Sequence, residues 1–352
     1  MPVIMEDMVD CSVLIAGAGL SGLSAAYHLT RLGVKDIVVV ERMPDERYGR
    51  YHRTCGEAVS DRMLTMAGVP ISCIVRDIDA IRITCGEAVM DIPVKGHIVD
   101  RVKLLEDMRK GTVAKFVRGS VRGIRKADGG YIVSCGDSEY HCRYLIGADG
   151  VFSTVRKELF GYSPKVRFAA VNNIIKGESG TSVLNFEASA KYPGSYRWDF
   201  PAKDGFRSVG YEVGADELTG YHERGIRFIG VGRNGPVVKD SCCLVGDAGV
   251  LTNPICYGGI GAALISGRRA AECIAEGDLE KYQRWVERDR MFDPHFMKAL
   301  DTFRGWTAED YADSVRPFRK GYSLARGAFA ILRRPKWANV YMSVYVAFNK
   351  GW

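Results

Sequence analysis

The chain has 352 residues, of which 47% are apolar and 26% are charged, and its formal net charge is +7. These proportions are ordinary for a globular protein and exclude intrinsic disorder, collagen-like repetition and a coiled coil. No window approaches the roughly 18 successive apolar residues that a membrane-spanning helix needs. Because the N-terminus also lacks the basic and long apolar regions of a secretory signal, we expect a cytoplasmic protein, with peripheral attachment to a membrane left open.

The first predicted elements form a βαβ unit. An apolar, partly β-branched run from Cys11 ends at Gly17, which is typical of a buried parallel strand. Apolar residues at helical spacing follow over 23–32, and the run 36–41 predicts a second buried strand. Together they have about the length of a dinucleotide-binding βαβ unit.

A glycine fingerprint, Gly17-x-Gly19-x-x-Gly22, joins the first strand to the helix. Its glycines let the backbone turn tightly and approach a pyrophosphate, while the helix N-terminus supplies free N–H groups for the phosphates. Glu41 ends the second strand, where its carboxylate can accept hydrogen bonds from an adenosine ribose. The unit therefore predicts a dinucleotide-binding site.

Two further motifs each place a turn after a strand. The strand over 144–147 is followed by Asp149-Gly150-x-x-Ser153-x-x-Arg156. The strand over 242–246 ends in Gly246-Asp247, and a helix is predicted over 262–275.

In this order the three motifs resemble those of the FAD-dependent oxidoreductases whose fold is like that of p-hydroxybenzoate hydroxylase. The resemblance covers 10–275 and implies FAD as the cofactor, with Asp247 binding the ribityl chain. It also implies an α/β fold, α+β overall: a Rossmann-like FAD-binding domain, an inserted antiparallel-sheet substrate domain and a C-terminal helical segment.

Within this group the sequence is similar to the geranylgeranyl reductase family. The segments that carry the similarity are Arg53-Thr-Cys55-Gly56-Glu57, Asp100-Arg101, Tyr196-Arg-Trp198-Asp-Phe200-Pro201, and Pro254 with Gly258-Gly259-Ile260-Gly261. At Tyr257-Gly258 the chain departs from the family, in which Gly-Glu is commoner.

The resemblance implies two sets of site residues. The residues expected to bind FAD are Gly17, Gly19, Gly22, Glu41, Arg53, Cys55, Gly56, Arg101, Asp149, Gly246, Asp247, Pro254, Gly258, Gly259, Ile260 and Gly261. The residues expected in the catalytic site are Cys55, Tyr196, Trp198 and Phe200. The alternation of 196, 198 and 200 also fits a strand that only packs in the core, and Cys55 also fits a buried, inert thiol.

The ten cysteines are spread along the chain without a Cys-x-x-Cys pair. We therefore predict no metal site, no iron–sulfur cluster and no thioredoxin-like motif, and we expect reduced, mostly buried thiols.

The predicted domain layout is discontinuous. The FAD-binding domain takes 10–72, 98–162 and 236–278, and the antiparallel substrate domain takes 73–97 and 163–235. Residues 279–352 are expected to be helical.

The C-terminal part of the chain is basic and aromatic. Residues 315–352 contain eight Lys and Arg side chains and no acidic ones. This pattern favours an anionic membrane surface as a partner. A solvated helical face, inward-packed aromatics and single-stranded RNA binding stay open, although nucleic acid is disfavoured because the remaining residues are nearly neutral.

The predicted function is an FAD-dependent reductase that saturates carbon–carbon double bonds of an isoprenoid, geranylgeranyl-type chain in membrane lipid biosynthesis. The expected chemistry is hydride transfer from reduced flavin to a prenyl-chain lipid or another apolar substrate. An external donor, ferredoxin or NAD(P)H, would supply the electrons. The alternatives are a monooxygenase (hydroxylase) or halogenase of the same fold, a nucleic-acid-modifying flavoprotein and a non-catalytic flavin-binding regulator.

Overall fold

A computed structural model describes residues 8–177, 182–350 and 352. The strands are β1 (Val9–Ala16), β2 (Ile37–Glu41), β3 (Ala58–Ser60), β4 (Ile74–Cys85), β5 (Ala88–Val99), β6 (Lys115–Arg118), β7 (Val121–Ala127), β8 (Gly130–Cys135), β9 (Ser138–Gly147), β10 (Val166–Lys176), β11 (Val183–Glu187), β12 (Arg197–Pro201), β13 (Phe206–Glu212), β14 (Glu223–Val231), β15 (Val238–Lys239) and β16 (Cys242–Leu244). The α-helices are α1 (Leu20–Arg31), α2 (Asp45–Arg53), α3 (Asp61–Ala67), α4 (Arg101–Lys110), α5 (Ile260–Ala275), α6 (Glu280–Arg288), α7 (His295–Arg304), α8 (Ala308–Val315), α9 (Leu324–Arg333) and α10 (Ala338–Lys350).

The first sheet has the order β15-β16-β9-β1-β2-β6, and β8 adds the hairpin strand β7 to β9. Its central strands β16, β9, β1, β2 and β6 run parallel. Parallel strands are buried on both faces, which explains the continuous apolar run in β1. Helices α1 and α5 pack together against this sheet, and the Ser24 hydroxyl donates to the Leu264 carbonyl over 2.7 Å.

The second sheet has the order β14-β10-β13-β12-β11-β4-β5-β3. Its neighbouring strands are antiparallel except for β11 and β4. The mixed α/β fold class is thereby confirmed. The short strand β3 lies within the segment predicted for the first domain, yet it pairs with β5, because the chain crosses to the edge of the second sheet directly after Glu57. The division into domains stays a prediction.

Helices α6 to α10 occupy the C-terminal part of the chain. The aromatic side chains Phe318, Trp337, Phe348 and Trp352 are buried in a core shared with the second sheet. The carbonyl of Trp352 also accepts hydrogen bonds from the backbone and hydroxyl of Ser60. These four of the eight aromatic residues of 315–352 therefore face inward and are not exposed for stacking on nucleic-acid bases.

Across 8–177, 182–350 and 352, no helix is both long and apolar enough to span a bilayer.

Candidate active site

A large cavity lies between the edge of the first sheet and the second sheet, and residues of both sheets line it. Because β1, β2, β9 and β16 are parallel, their carboxyl ends meet at this edge, as in other open α/β sheets that bind ligands there. The residues that follow these strands and line the cavity are Gly17, Gly19, Glu41, Asp149, Asp247, Gly258, Gly259 and Ile260. The three sequence motifs are thus brought together in one place.

The three fingerprint glycines have different structural requirements. Gly17 has a positive φ of 106°, and a Cβ there would lie 2.4 Å from the Ala148 carbonyl oxygen. A Cβ at Gly22 would lie 2.0 Å from the Gly17 oxygen. A Cβ at Gly19 would meet only the His52 ring, at 3.7 Å, and would project toward the cavity. Gly17 and Gly22 are therefore required by the protein itself, whereas the space at Gly19 is open to a ligand.

Two helices begin at this cavity without a side-chain cap. Helix α1 follows Gly19 and α5 follows Gly259, and neither has an acidic residue in its first turn. The first N–H groups of a helix have no intrahelical acceptor, and the helix dipole makes that end positive. The cavity therefore has two places suited to an anionic or electron-rich group.

The Glu41 carboxylate links the loop that follows β1 to the backbone that follows β2. It accepts hydrogen bonds from the backbone of Ala18 over 2.8 Å and of Met43 over 2.7 Å. An ionised carboxylate has about four acceptor positions, so lone pairs remain for a ligand hydroxyl.

Arg156 explains why the second and third motifs occur together. Its buried guanidinium donates to the carbonyls of Ala248 over 2.8 Å and Val151 over 2.6 Å. Its backbone N–H donates to the Ser153 hydroxyl over 2.9 Å. The arginine thereby holds the turn after β9 against the Gly-Asp turn after β16, where the Asp247 carboxylate accepts from the Thr252 hydroxyl over 2.8 Å.

Three buried polar atoms around the cavity have no hydrogen-bond partner among the described residues: Asp149 Oδ1, Arg101 Nε and His52 Nδ1. The other Asp149 oxygen accepts from the backbone of Thr154 over 2.7 Å. Buried polar atoms are normally satisfied, so this set indicates a ligand with donors and acceptors along its length. The ribose and ribityl hydroxyls and the pyrophosphate of FAD fit that requirement.

His52 and Arg227 line the cavity but belong to none of the sequence motifs. Burial, Arg101 and Arg227 lower the pKa of His52 to about 2, so the imidazole is neutral. Arg227 donates to the Tyr51 carbonyl over 3.2 Å and lies over the Tyr51 ring at 4.0 Å. Neither residue was predicted from the sequence, because only the approach of β14 to α2 brings them to the site.

An aromatic wall closes the cavity on the side of the second sheet. Tyr196, Trp198 and Phe200 all line it, and the same rings pack in the second core, so the two interpretations of their alternation are compatible. The Trp198 indole N–H donates to the Ser208 hydroxyl over 3.3 Å, and the Tyr196 hydroxyl donates to the Cys256 carbonyl over 2.5 Å.

The turn Cys55-Gly56-Glu57 lies against this wall. A Cβ at Gly56 would be 2.8 Å from the Phe200 ring, so glycine lets the ring reach the backbone. The Cys55 sulfur accepts from the Glu57 backbone N–H over 3.4 Å, and Cys55 is half-buried whereas the other cysteines are buried.

Glu57 was not among the site residues predicted from the sequence. Its carboxylate accepts from the Arg101 backbone over 3.2 Å. Burial raises the pKa of Glu57 to about 7, although Arg101 and Arg53 oppose that rise. Glu57 lines this cavity, which we name the FAD cavity after its predicted ligand, and also a separate polar cavity.

Five residues expected to bind FAD do not line the FAD cavity. Gly22, Gly246 and Gly261 pack against Gly17, Ser21 and Met63, so they shape the surrounding backbone. Arg53 is exposed and lines the polar cavity, and Pro254 lines a third, apolar cavity.

The apolar cavity lies between the second sheet and helices α8, α9 and α10. Its lining includes Ile83, Met90, Ile92, Phe318, Ile331 and Val344. Phe186, Ser195 and Tyr196 line both this cavity and the FAD cavity. Phe186 and Tyr196 therefore have the dinucleotide-type site on one side and an apolar space on the other.

Comparison with known proteins agrees with this description. A family profile described as an FAD binding domain matches residues 10–76. The fold and site define an FAD-dependent oxidoreductase, and FAD is its cofactor.

The resemblance to geranylgeranyl reductases is also confirmed. Digeranylgeranylglycerophospholipid reductase 2 of Methanosphaera stadtmanae is 27% identical over 324 residues, covering 78% of this chain and 81% of the relative. Digeranylgeranylglycerophospholipid reductase 1 of Methanothermobacter thermautotrophicus is 26% identical over 336 residues, covering 79% and 80%.

Solved structures show how widely the fold is shared. A geranylgeranyl bacteriochlorophyll reductase-like protein of Thermoplasma acidophilum has a TM-score of 0.79 at 20% identity, covering 97% of this chain and 100% of that one. A p-nitrophenol 4-monooxygenase of Pseudomonas putida has a TM-score of 0.61 at 17% identity, covering 97% and 98%. Reductase-like and hydroxylase folds both match, so the fold alone does not select the reaction.

Proposed function

We propose that this chain is a reductase that saturates carbon–carbon double bonds of a prenyl-chain lipid. The observation that carries the proposal is the shared boundary of two cavities, because Phe186 and Tyr196 line both the FAD cavity and the apolar cavity. An apolar chain in the second cavity would thereby have a double bond next to the cofactor. The names of the relatives, which are digeranylgeranylglycerophospholipid reductases, support the same class of substrate.

Bound FAD, once reduced, supplies hydride for such a reaction. The protein's task is then orientation, because an unactivated alkene offers little charge to stabilise. Trp198 is fixed by its hydrogen bond to Ser208, and Phe200 by its packing on Gly56. These fixed rings suit the positioning of a flat, apolar group, and Cys55 lies beside them.

Saturation of the alkene also needs a proton, and Glu57 is the residue we propose to hold it. A carboxyl group with a pKa of about 7 keeps its proton in a large fraction of molecules near neutral pH. The same residue lines the polar cavity, whose other charged lining residues include Arg53, Asp100, Lys103 and Lys203. Glu57 would return to its protonated form through that cavity.

We further propose that the electrons come from an external carrier, ferredoxin or NAD(P)H, and that the protein is cytoplasmic and meets its lipid at an anionic membrane surface. The first sheet has a single dinucleotide-type βαβ unit among the described residues, and FAD takes it. A nicotinamide donor would therefore bind transiently.

The test is the product itself. FAD-loaded protein, reduced by dithionite under nitrogen, is incubated with a digeranylgeranylglycerophospholipid, and the lipid is analysed by mass spectrometry. We expect a mass gain of two hydrogens for each double bond removed. An unchanged lipid, together with oxygen uptake and hydroxylation or halogenation of an aromatic compound in air, would overturn the proposal.

A further inference from the structure

Helix α9 presents an apolar face to solvent. Leu324, Phe329 and Leu332 are 68%, 56% and 79% exposed, and Ala325 and Ala328 between them are exposed as well. Positions 324, 325, 328, 329 and 332 lie on one side of a helix of 3.6 residues per turn. The opposite side carries the buried Ala330. The large side chains on the outer face are therefore not part of the core.

Cations flank this apolar face at both ends. Arg319 and Lys320 precede the helix, and Arg333 and Lys336 lie at or after its end; all four are exposed. Within the described part of the chain, none of these four forms an ion pair, whereas Asp313 pairs with Arg316 and Arg334. Arg326 turns back to the carbonyls of Lys320 and Gly321, over 2.8 and 2.6 Å.

The same helix borders the apolar cavity. Leu324, Gly327, Ala328 and Ile331 line that cavity, together with Met342 of α10, which is 49% exposed. The exposed apolar face is thus continuous with the space proposed for the prenyl chain.

We propose that α9 is the membrane-docking element of this protein, lying flat on an anionic phospholipid bilayer with Leu324, Phe329 and Leu332 inserted among the lipids. An apolar helical face with basic residues at its edges has the two properties that interfacial helices use, namely apolar burial and attraction to anionic headgroups. The absence of acidic residues over 315–352 favours an anionic surface over an acidic–basic protein interface. The inference rests on the proposed function for the identity of the lipid, and it adds where that lipid enters.

The position of the buried aromatics limits how the inference can be tested. Removal of 315–352 would expose the second core, since Phe318, Trp337, Phe348 and Trp352 are buried in it. Substitutions on the outer face of α9 avoid this problem because those side chains are exposed. The apolar variant combines Leu324→Ser, Phe329→Ser and Leu332→Ser. The charge variant combines Arg319→Gln, Lys320→Gln, Arg333→Gln and Lys336→Gln.

Matched controls exist elsewhere on the surface. The apolar control combines Leu32→Ser, Ile71→Ser and Val113→Ser, which alter residues that are 48%, 59% and 71% exposed. The charge control combines Lys35→Gln, Arg62→Gln, Arg122→Gln and Lys157→Gln, which alter exposed cations without a described ion pair.

The measurement is cosedimentation of the FAD-loaded full chain with phosphatidylglycerol vesicles at low salt, with phosphatidylcholine vesicles as the neutral comparison. We expect the wild type and both controls to bind the anionic vesicles, and each α9 variant to partition at least about tenfold less. Binding by the wild type should weaken at 1 M salt, where the Debye length is only about 3 Å.

Several results would overturn the inference: no binding of the wild type at low salt, equal losses in the controls, or a dimer in sedimentation velocity that the α9 apolar variant dissociates. Retention of RNA instead of vesicles would also overturn it. The results that would contradict the proposed reductase function differ from those that would contradict membrane docking. Vesicle binding without lipid reduction would support the docking surface and contradict the reductase function. Reduction of a short soluble prenyl substrate without vesicle binding would support the reductase function and contradict the docking surface.

Discussion

The FAD cavity and the apolar cavity meet at Phe186, Ser195 and Tyr196, yet the side chains around them are of opposite kinds. Around the FAD cavity lie two uncapped helix N-termini and the unpartnered atoms of Asp149 and Arg101. Around the other lie aliphatic and aromatic groups from β4, β5 and the C-terminal helices. One space requires a ligand that supplies hydrogen bonds, and the other a ligand that needs none. Variants on each side of the wall should therefore affect different ligands.

The largest expected effect is at Gly19. Its φ of −73° suits any residue, and a side chain there would enter the cavity without striking the protein backbone. Gly19→Val should therefore give folded, soluble protein that retains no FAD, seen as a lost flavin absorbance with unchanged far-UV circular dichroism. Gly22→Ala is the matched comparison. Its Cβ would strike the Gly17 oxygen, so this variant should lose both its folded structure and its FAD. Stoichiometric FAD in Gly19→Val would show that the fingerprint does not bind the cofactor.

A smaller effect is expected at Asp247. Replacing it with Ala should weaken FAD binding by about 1–3 kcal/mol, the usual cost of leaving a buried partner without its hydrogen bond. Titration of apoprotein with FAD measures the change, and Asp128→Ala, an exposed residue away from the cavity, serves as the control. Equal affinities in the two variants would remove Asp247 from the cofactor site.

The next prediction concerns Gly327, which lies in the apolar cavity. Among the described residues, no atom outside the neighbouring backbone of α9 lies within 4 Å of a Cβ built there, and the residue lines the apolar cavity. Gly327→Phe should fill part of that space and lower the turnover of long prenyl lipids several-fold, with FAD content unchanged. Gly327→Ala keeps the space and should only stabilise α9, by about 1 kcal/mol. If the ratio of the turnover rates on long and short prenyl substrates is the same in Gly327→Phe as in the wild type, the prenyl group binds outside this cavity.

The smallest effect is a pH dependence at Glu57. Burial raises its pKa from 4.5 to about 7, so the folded protein holds this proton more tightly than the unfolded chain. The contribution of Glu57 to the free energy of unfolding is therefore full below pH 4.5 and is lost as the pH rises through about 7. Glu57→Gln should remove this part of the pH profile in denaturant titrations.

Activity offers a second readout for Glu57. If it holds the proton, the rate of lipid reduction in the wild type should fall above pH 7, and Glu57→Gln should be slow without that fall. A variant with the wild-type pH profile in both measurements would leave Glu57 as a structural residue beside Arg101.

The parts of the fold that follow from local sequence could be predicted. The strand–glycine–helix order at Gly17, the turn at Asp149 and the helix after Gly258 depend on residues near one another in the chain, and they are found as expected. The strand β3 could not be assigned to its sheet, because its partner β5 is set by the tertiary path of the chain.

In the site, too, the residues that depend on tertiary contacts could not be predicted from the sequence. Glu41 was predicted from its position at the end of a strand and Asp247 from the family resemblance, and both line the cavity. The positions of His52, Glu57 and Arg227 depend instead on how α2, β14 and the second sheet meet. In the C-terminal segment, composition predicted cations and aromatics but could not tell which face outward. The structure buries Trp337 and exposes Phe329 and Leu332, so the membrane hypothesis now depends on one face of α9 and no longer on the aromatic residues of the whole segment.

The most direct test of the account is a single turnover followed by the flavin spectrum. Protein reduced under nitrogen is mixed with a prenyl lipid in the absence of oxygen, and the return of oxidised-flavin absorbance is compared with the double bonds lost. The account predicts reoxidation in proportion to the saturated lipid, slowed in Gly327→Phe and unchanged in Gly327→Ala. Flavin that stays reduced with lipid and reoxidises only when air is admitted would contradict it.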